Sequence, residues 1–163
     1  MKIASKLIII GVLFMSNNLF ADNTPNDSDA LKGVTMGKVI FDINMIEAKK
    51  MTLYLQVIQQ TIDDMQRQGV KPDVILAFRG LSVRLISKNR ENMELTDFDY
   101  LDQIAQQLTT LYHQGVRMEA CSVATKLFKV DNKSLLKFIK PVGNTFVSLT
   151  GYQAQGYANI PIY

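Results

Sequence analysis

Between Lys38 and Gly115 the chain alternates short β-rich apolar runs with long amphipathic segments, and this alternation restricts the fold more than any single residue. "KVIFDIN", residues 38 to 44, is rich in β-formers and flanked by turn-formers, which predicts a first strand. In the next segment Met51, Leu55, Ile58, Ile62 and Met65 recur at steps of four, three, four and three. That spacing predicts a helix with one buried face, stopped by Gly69. Pro72 marks a turn, and "DVILAF" is a near-continuous apolar strand ending at Arg79-Gly80. "LSVRLI" then reads as a short helical piece and "SKNRENMEL" as a polar loop. Thr96-Asp97 supply a cap for a helix whose face is Leu101, Ile104, Ala105, Leu108, Leu111 and Tyr112, stopped by Gly115. "VRMEAC" predicts the third strand. Residues 124 to 140 read as helical in pieces ended by Pro141, "TFVSLT" as a fourth strand, "GYQAQGY" as a helical turn and "ANIPIY" as an extended tail.

Strands joined by helices of this length imply right-handed βαβ crossovers. The expected fold is therefore α/β, in three layers: a mostly parallel sheet of four to five strands with helices on both faces. Open sheets of this kind bind ligands beyond the carboxyl ends of their strands. Arg79-Gly80 and Cys121 stand at two such ends and are expected on one edge of the sheet.

The segment before this pattern has a different character. "MKIASKLIIIGVLFMSNNLFA" opens with Lys2 and Lys6, runs apolar from Leu7 to Met15 and closes on Leu19-Phe20-Ala21. Charge, apolar stretch and small-residue site in that order predict a secretory signal peptide over residues 1–21, cleaved near Ala21. The apolar run is shorter than the roughly 20 residues that span a bilayer, so no stable membrane insertion is expected after cleavage; left uncleaved, the segment would be an anchor. Polar residues 22–36 read as a flexible lead-in, and 37–163 as one domain. The expected compartment is periplasmic or extracellular.

Cleavage also alters the charge argument. The chain has 18 Lys and Arg residues against 15 Asp and Glu, and the signal holds two lysines and no acid, which leaves a mature charge of +1. The positive excess belongs to export. Without a basic arm or an aromatic-basic ladder, nothing favours nucleic acid as a partner.

Cys121 is the only cysteine in the chain, so no internal disulfide is available. One reading makes it a buried residue packing as a small hydrophobe. The other rests on its position at a strand-to-helix junction, where unpaired N–H groups and the helix dipole favour a thiolate. A thiolate is a nucleophile and can carry sulfur as a persulfide. His113, the sole histidine, falls in the last turn before Gly115, at the opposite end of the third strand from Cys121. A Cys/His dyad is therefore not expected, and one histidine with one cysteine makes a poor zinc site. Lys126, Lys129, Lys133, Lys137 and Lys140 read as a solvated helix face, as a docking surface for an acidic partner, or as a field acting on Cys121, with Lys126 nearest in sequence. Arg79 and Arg84 are candidates for an anion, Arg79 with backbone help at Gly80, or for ordinary surface ion pairs. No glycine-rich phosphate loop follows a strand.

"DVILAFRGLSVRLI", "VRMEACSVATKLFKVDN" and "PVGNTFVSLTGYQAQGYANIPIY" together resemble the DsrE/DsrF-like family, in its exported branch, over about Gly37 to Tyr163. The resemblance implies a compact α/β fold with a parallel sheet, assembly into homo- or hetero-oligomers, and sulfur relay through a cysteine persulfide without cofactor or metal. By position Cys121 corresponds to the family's active cysteine, and Ser122 stands where the family often has glycine. The expected function is an exported persulfide carrier or sulfurtransferase-like protein. Cys121 would accept the sulfur from a donor protein, and Arg79, Gly80, Ser122 and Lys126 would line the anion or substrate. The alternatives are an oligomeric, non-catalytic binding module and a redox-sensing thiol.

Overall fold

The computed structural model describes residues 24–91 and 93–163; the expected signal peptide lies outside them. Five strands form one sheet: β1 (Met36–Ile43), β2 (Lys71–Phe78), β3 (Arg117–Cys121), β4 (Lys140–Val142) and β5 (Ala158–Ile162). Their order is β4-β3-β2-β1-β5, and every neighbouring pair runs parallel. The helices are α1 (Ala48–Arg67), α2 (Ser82–Leu85), α3 (Phe98–His113), α4 (Ser122–Leu127) and α5 (Thr145–Ala154).

Strand alternation divides the core between the two faces. Val39, Phe41 and Ile43 of β1, Val74, Leu76 and Phe78 of β2, and Met118 and Ala120 of β3 pack with α1 and α3. The helices present most of the stripes their spacing predicts, with Met51, Leu55, Ile58 and Ile62 buried on α1 and Leu101, Ile104, Leu108 and Leu111 on α3, while Tyr112, expected on the same face, is exposed. The other face has a smaller core of Ile40, Ile75, Ala77, Leu149 and Tyr157, closed by α5. α3 stops where Gly115 takes φ +90 and its N–H bonds to the Tyr112 carbonyl while that of Val116 bonds to Leu111. This left-handed cap turns the chain into β3.

Several local expectations are corrected. Pro72 does not mark a turn; it lies within β2. "TFVSLT" is helical: it opens α5, and β4 is instead the short run Lys140–Val142. The Asn144 side chain accepts from the Phe146 N–H at 3.0 Å, an N-cap that outweighs the strand bias of the β-branched residues after it. Thr145 and Leu149, four apart, are the residues α5 buries. Pro141 does not end a helix; it sits inside β4, an edge strand, where its missing N–H costs no interior ladder bond. The lysines from 126 to 140 therefore do not share one helix face. They are exposed along α4, a 3-10 turn at Asn132–Ser134 and the start of β4.

Residues ahead of β1 hydrogen-bond to the end of α1. The Asp27 N–H donates to Gln68 Oε1 at 2.6 Å, and Arg67 Nη2 donates to the Pro25 carbonyl at 3.2 Å. No helix among the described residues is long and apolar enough to cross a membrane.

Candidate functional site

Period-2 alternation sets Arg117, Glu119 and Cys121 on the face that α5 covers, opposite Met118 and Ala120. Cys121 is the last residue of β3 and the N-cap position of α4, with extended backbone at φ −69 and ψ 114. The β4–α5 connection brings the start of α5 to the same place, and the Thr145 N–H donates to Cys121 Sγ at 3.4 Å.

The thiol is 5% exposed and lies in the wall of a cavity of about 260 Å³. Arg79, Gly80, Ala124, Phe128 and Phe146 also line that cavity, so the carboxyl ends of β2 and β3 share one edge, as topology required. Burial pushes the Cys121 thiol up. The N–H groups of Thr145, Ala124 and Val123, together with the nearness of the Thr145 hydroxyl, outweigh it and hold the thiol below its ordinary value. Thr145 Oγ1 is itself fully buried and has no hydrogen-bond partner.

Arg79 reaches the cavity with its charge already matched. Its Nε and Nη2 donate to the two carboxylate oxygens of Asp42 at 2.6 and 2.9 Å, a bidentate pair. The Asp42 hydrogen bond raises the guanidinium's pKa further, against the opposing effect of burial. The guanidinium also lies 5.4 Å from the Phe146 ring and 5.9 Å from that of Tyr163. It forms a rigid polar wall beside the thiol. Gly80 next to it has φ +56, and a Cβ there would sit 2.0 Å from Asn44 Oδ1, so only glycine fits between the strand ends.

Ser122 and Lys126 do not line the cavity. Ser122 Oγ faces Asn132 Nδ2 at 3.4 Å, and Lys126 is exposed. Arg84 sits over the Phe128 ring at 5.8 Å, outside the cavity lining. His113 ends α3, beyond the opposite end of β3, and its ring packs against Tyr112. Sequence reading missed Asn144, Thr145 and Phe146, because a strand there would carry no N-terminal amides. The available signal was Asn144 itself, a capping residue with apolar residues at helical spacing behind it.

The amino-terminal half of the same face holds a separate polar network. Tyr157 donates to Asp73 Oδ2 at 2.6 Å, and Arg117 Nη2 donates to Asp73 Oδ1 at 2.7 Å. Tyr152 donates to Glu119 Oε1 at 2.7 Å, and burial, aided by that carboxylate, pushes its hydroxyl up to about 12.

The fold is thus a five-stranded parallel α/β domain with a recessed cysteine at a strand-to-helix junction. The family model for the DsrE/DsrF-like family matches residues 27–162, and the chain belongs to that family. Solved structures with this fold include a protein of unknown function, MTH1491, from Methanobacterium thermoautotrophicum, 18% identical, covering 77% of this chain and 99% of that one with a TM-score of 0.63. The ychN protein from E. coli is 16% identical, covering 78% of this chain and all of that one with a TM-score of 0.55. An uncharacterized protein from Aquifex aeolicus (strain VF5) is 22% identical over 125 residues, which are 76% of this chain and 55% of that protein.

Proposed function

We propose that this protein is an exported carrier of sulfane sulfur that works through a persulfide on Cys121. Membership of the DsrE/DsrF-like family points to sulfur relay. The observation that carries the finer reading is the set of N–H groups around Sγ, which favour the thiolate despite burial. In the forward step the Cys121 thiolate attacks the outer sulfur of a donor persulfide. The new bond joins Cys121 Sγ to that sulfur, the donor's S–S bond breaks, and the donor leaves as a thiolate. The transferred sulfur keeps its oxidation level, so the exchange needs no external oxidant or reductant. Release to an acceptor thiolate is the same exchange in reverse.

Export rests on the charge and apolar pattern of residues 1–21, and the mature protein would work in the periplasm or outside the cell. A protein partner, either a related subunit or the sulfur donor, is supported by the exposed apolar side chains Val123, Leu127 and Phe146, which line the cavity. A redox-sensing disulfide is less well served: the sulfur is recessed, and a disulfide needs two Cα atoms within about 7 Å.

The test is intact mass spectrometry of the mature protein after incubation with polysulfide. The reading expects a gain of about 32 Da per protein, one sulfur atom on the persulfide step, lost on reduction and absent in Cys121→Ser. No adduct on the wild type, beside a control carrier that loads, contradicts it.

A further inference from the structure

We propose that Thr145 is a positioning residue for Cys121, its buried hydroxyl serving as a donor to the thiolate. This rests on the reading of Cys121 as a nucleophile.

The argument starts from what threonines do elsewhere in this molecule. Thr61, Thr109, Thr110 and Thr150 all lie on helices, and each donates its hydroxyl to the carbonyl four residues earlier, at 2.8, 2.7, 3.2 and 2.8 Å. Thr145 is the first residue of α5 and has no preceding helical turn to bond to. It is also 0% exposed, which removes water as an alternative partner, and its Oγ1 has no partner of any kind. A buried hydroxyl without a partner is costly, and most proteins avoid it. The sulfur that Thr145 already holds through its N–H takes on a full negative charge when the thiol ionises, which makes it a much stronger acceptor. Once Cys121 is ionised, the hydroxyl gains an acceptor. The orphan donor of the resting thiol then becomes a satisfied, charge-assisted bond in the thiolate.

Hydroxyl and N–H of one residue thus address the same sulfur from the start of a ten-residue helix. The hydroxyl's cost is carried by the neutral thiol and relieved in the reactive form. The same arrangement suits any form of the site in which Sγ carries negative charge, including the thiolate regenerated when sulfur is handed on.

The experiment compares wild type with Thr145→Val and Thr145→Ser, following alkylation of Cys121 by iodoacetamide from about pH 5 to 10 and thermal unfolding of each. The expected result for Thr145→Val is alkylation slowed about three- to tenfold at neutral pH, with the midpoint moved upward, and recovery in Thr145→Ser. A hydroxyl that is only a buried orphan behaves oppositely: Thr145→Val then unfolds at a higher temperature and keeps the wild-type pH profile, and this result overturns the proposal. Thr145→Ala reads the same profile if valine is not accommodated. The carrier reading is judged separately. Wild type that takes up sulfur while Thr145→Val keeps its profile removes the role of Thr145 alone. A shifted profile with no sulfur uptake leaves Thr145 in place and removes the carrier reading.

Discussion

The two faces of the sheet are built from the same three central strands but do different work. On one face α1 and α3 cover a continuous apolar layer from Val39 through Phe78 to Ala120. On the other, α5 covers a core of five buried residues, and beside it the same strands carry Asp42, Asp73, Arg117, Glu119 and Cys121. A face sealed by two long amphipathic helices has no room for polar side chains unless each finds a partner. A face covered by one shorter helix has room for a cavity and for paired charges. The larger apolar core lies on the first face, and the cysteine cavity and the paired charges lie on the second.

Mutation of each face separates the two roles. Phe78→Ala, at a residue that is fully buried against α1 and α3, is expected to cost about 3–5 kcal/mol of stability, the largest effect, measured by urea denaturation. A cost similar to that of a surface substitution would contradict the division. Asp42→Asn on the opposite face removes the carboxylate that holds Arg79 by two hydrogen bonds. It is expected to cost about 1–3 kcal/mol by the same measurement and to loosen the wall beside Cys121. A loss as large as that of Phe78→Ala would mean that the polar face is also a principal source of stability.

The thick face was the more legible in sequence. Its signals are periodic: apolar steps of three and four on α1 and α3, and the apolar run of β2, which fix both the elements and the side they bury. The position of Cys121 at the end of β3, and its company with Arg79 and Gly80, followed from parallel topology alone. What the sequence hid was the second side of the site. Thr145, Val147 and Thr150 are β-branched and imitate a strand, whereas the single capping bond of Asn144 and the burial of Thr145 and Leu149 make the segment a helix. For Arg79 the residues leave open an anion contact or an ion pair. Pairing with Asp42, 37 positions earlier in the chain, is a long-range contact that local spacing does not announce. Ser122, expected from the family resemblance, and Lys126, expected from its nearness in sequence to Cys121, lie outside the cavity lining to which α4 contributes Ala124.

The central claim is that the sparsely covered face delivers a thiol that is recessed yet ionised more readily than an ordinary cysteine. Its most direct test is the rate of Cys121 alkylation against pH in the folded protein, set beside the same protein unfolded in urea. The structure predicts a midpoint lower in the folded protein than in the unfolded chain, because the N–H groups of Thr145, Ala124 and Val123 favour the thiolate by more than burial opposes it. A folded-state midpoint above the unfolded one, or a thiol that reacts only after unfolding, would contradict the account.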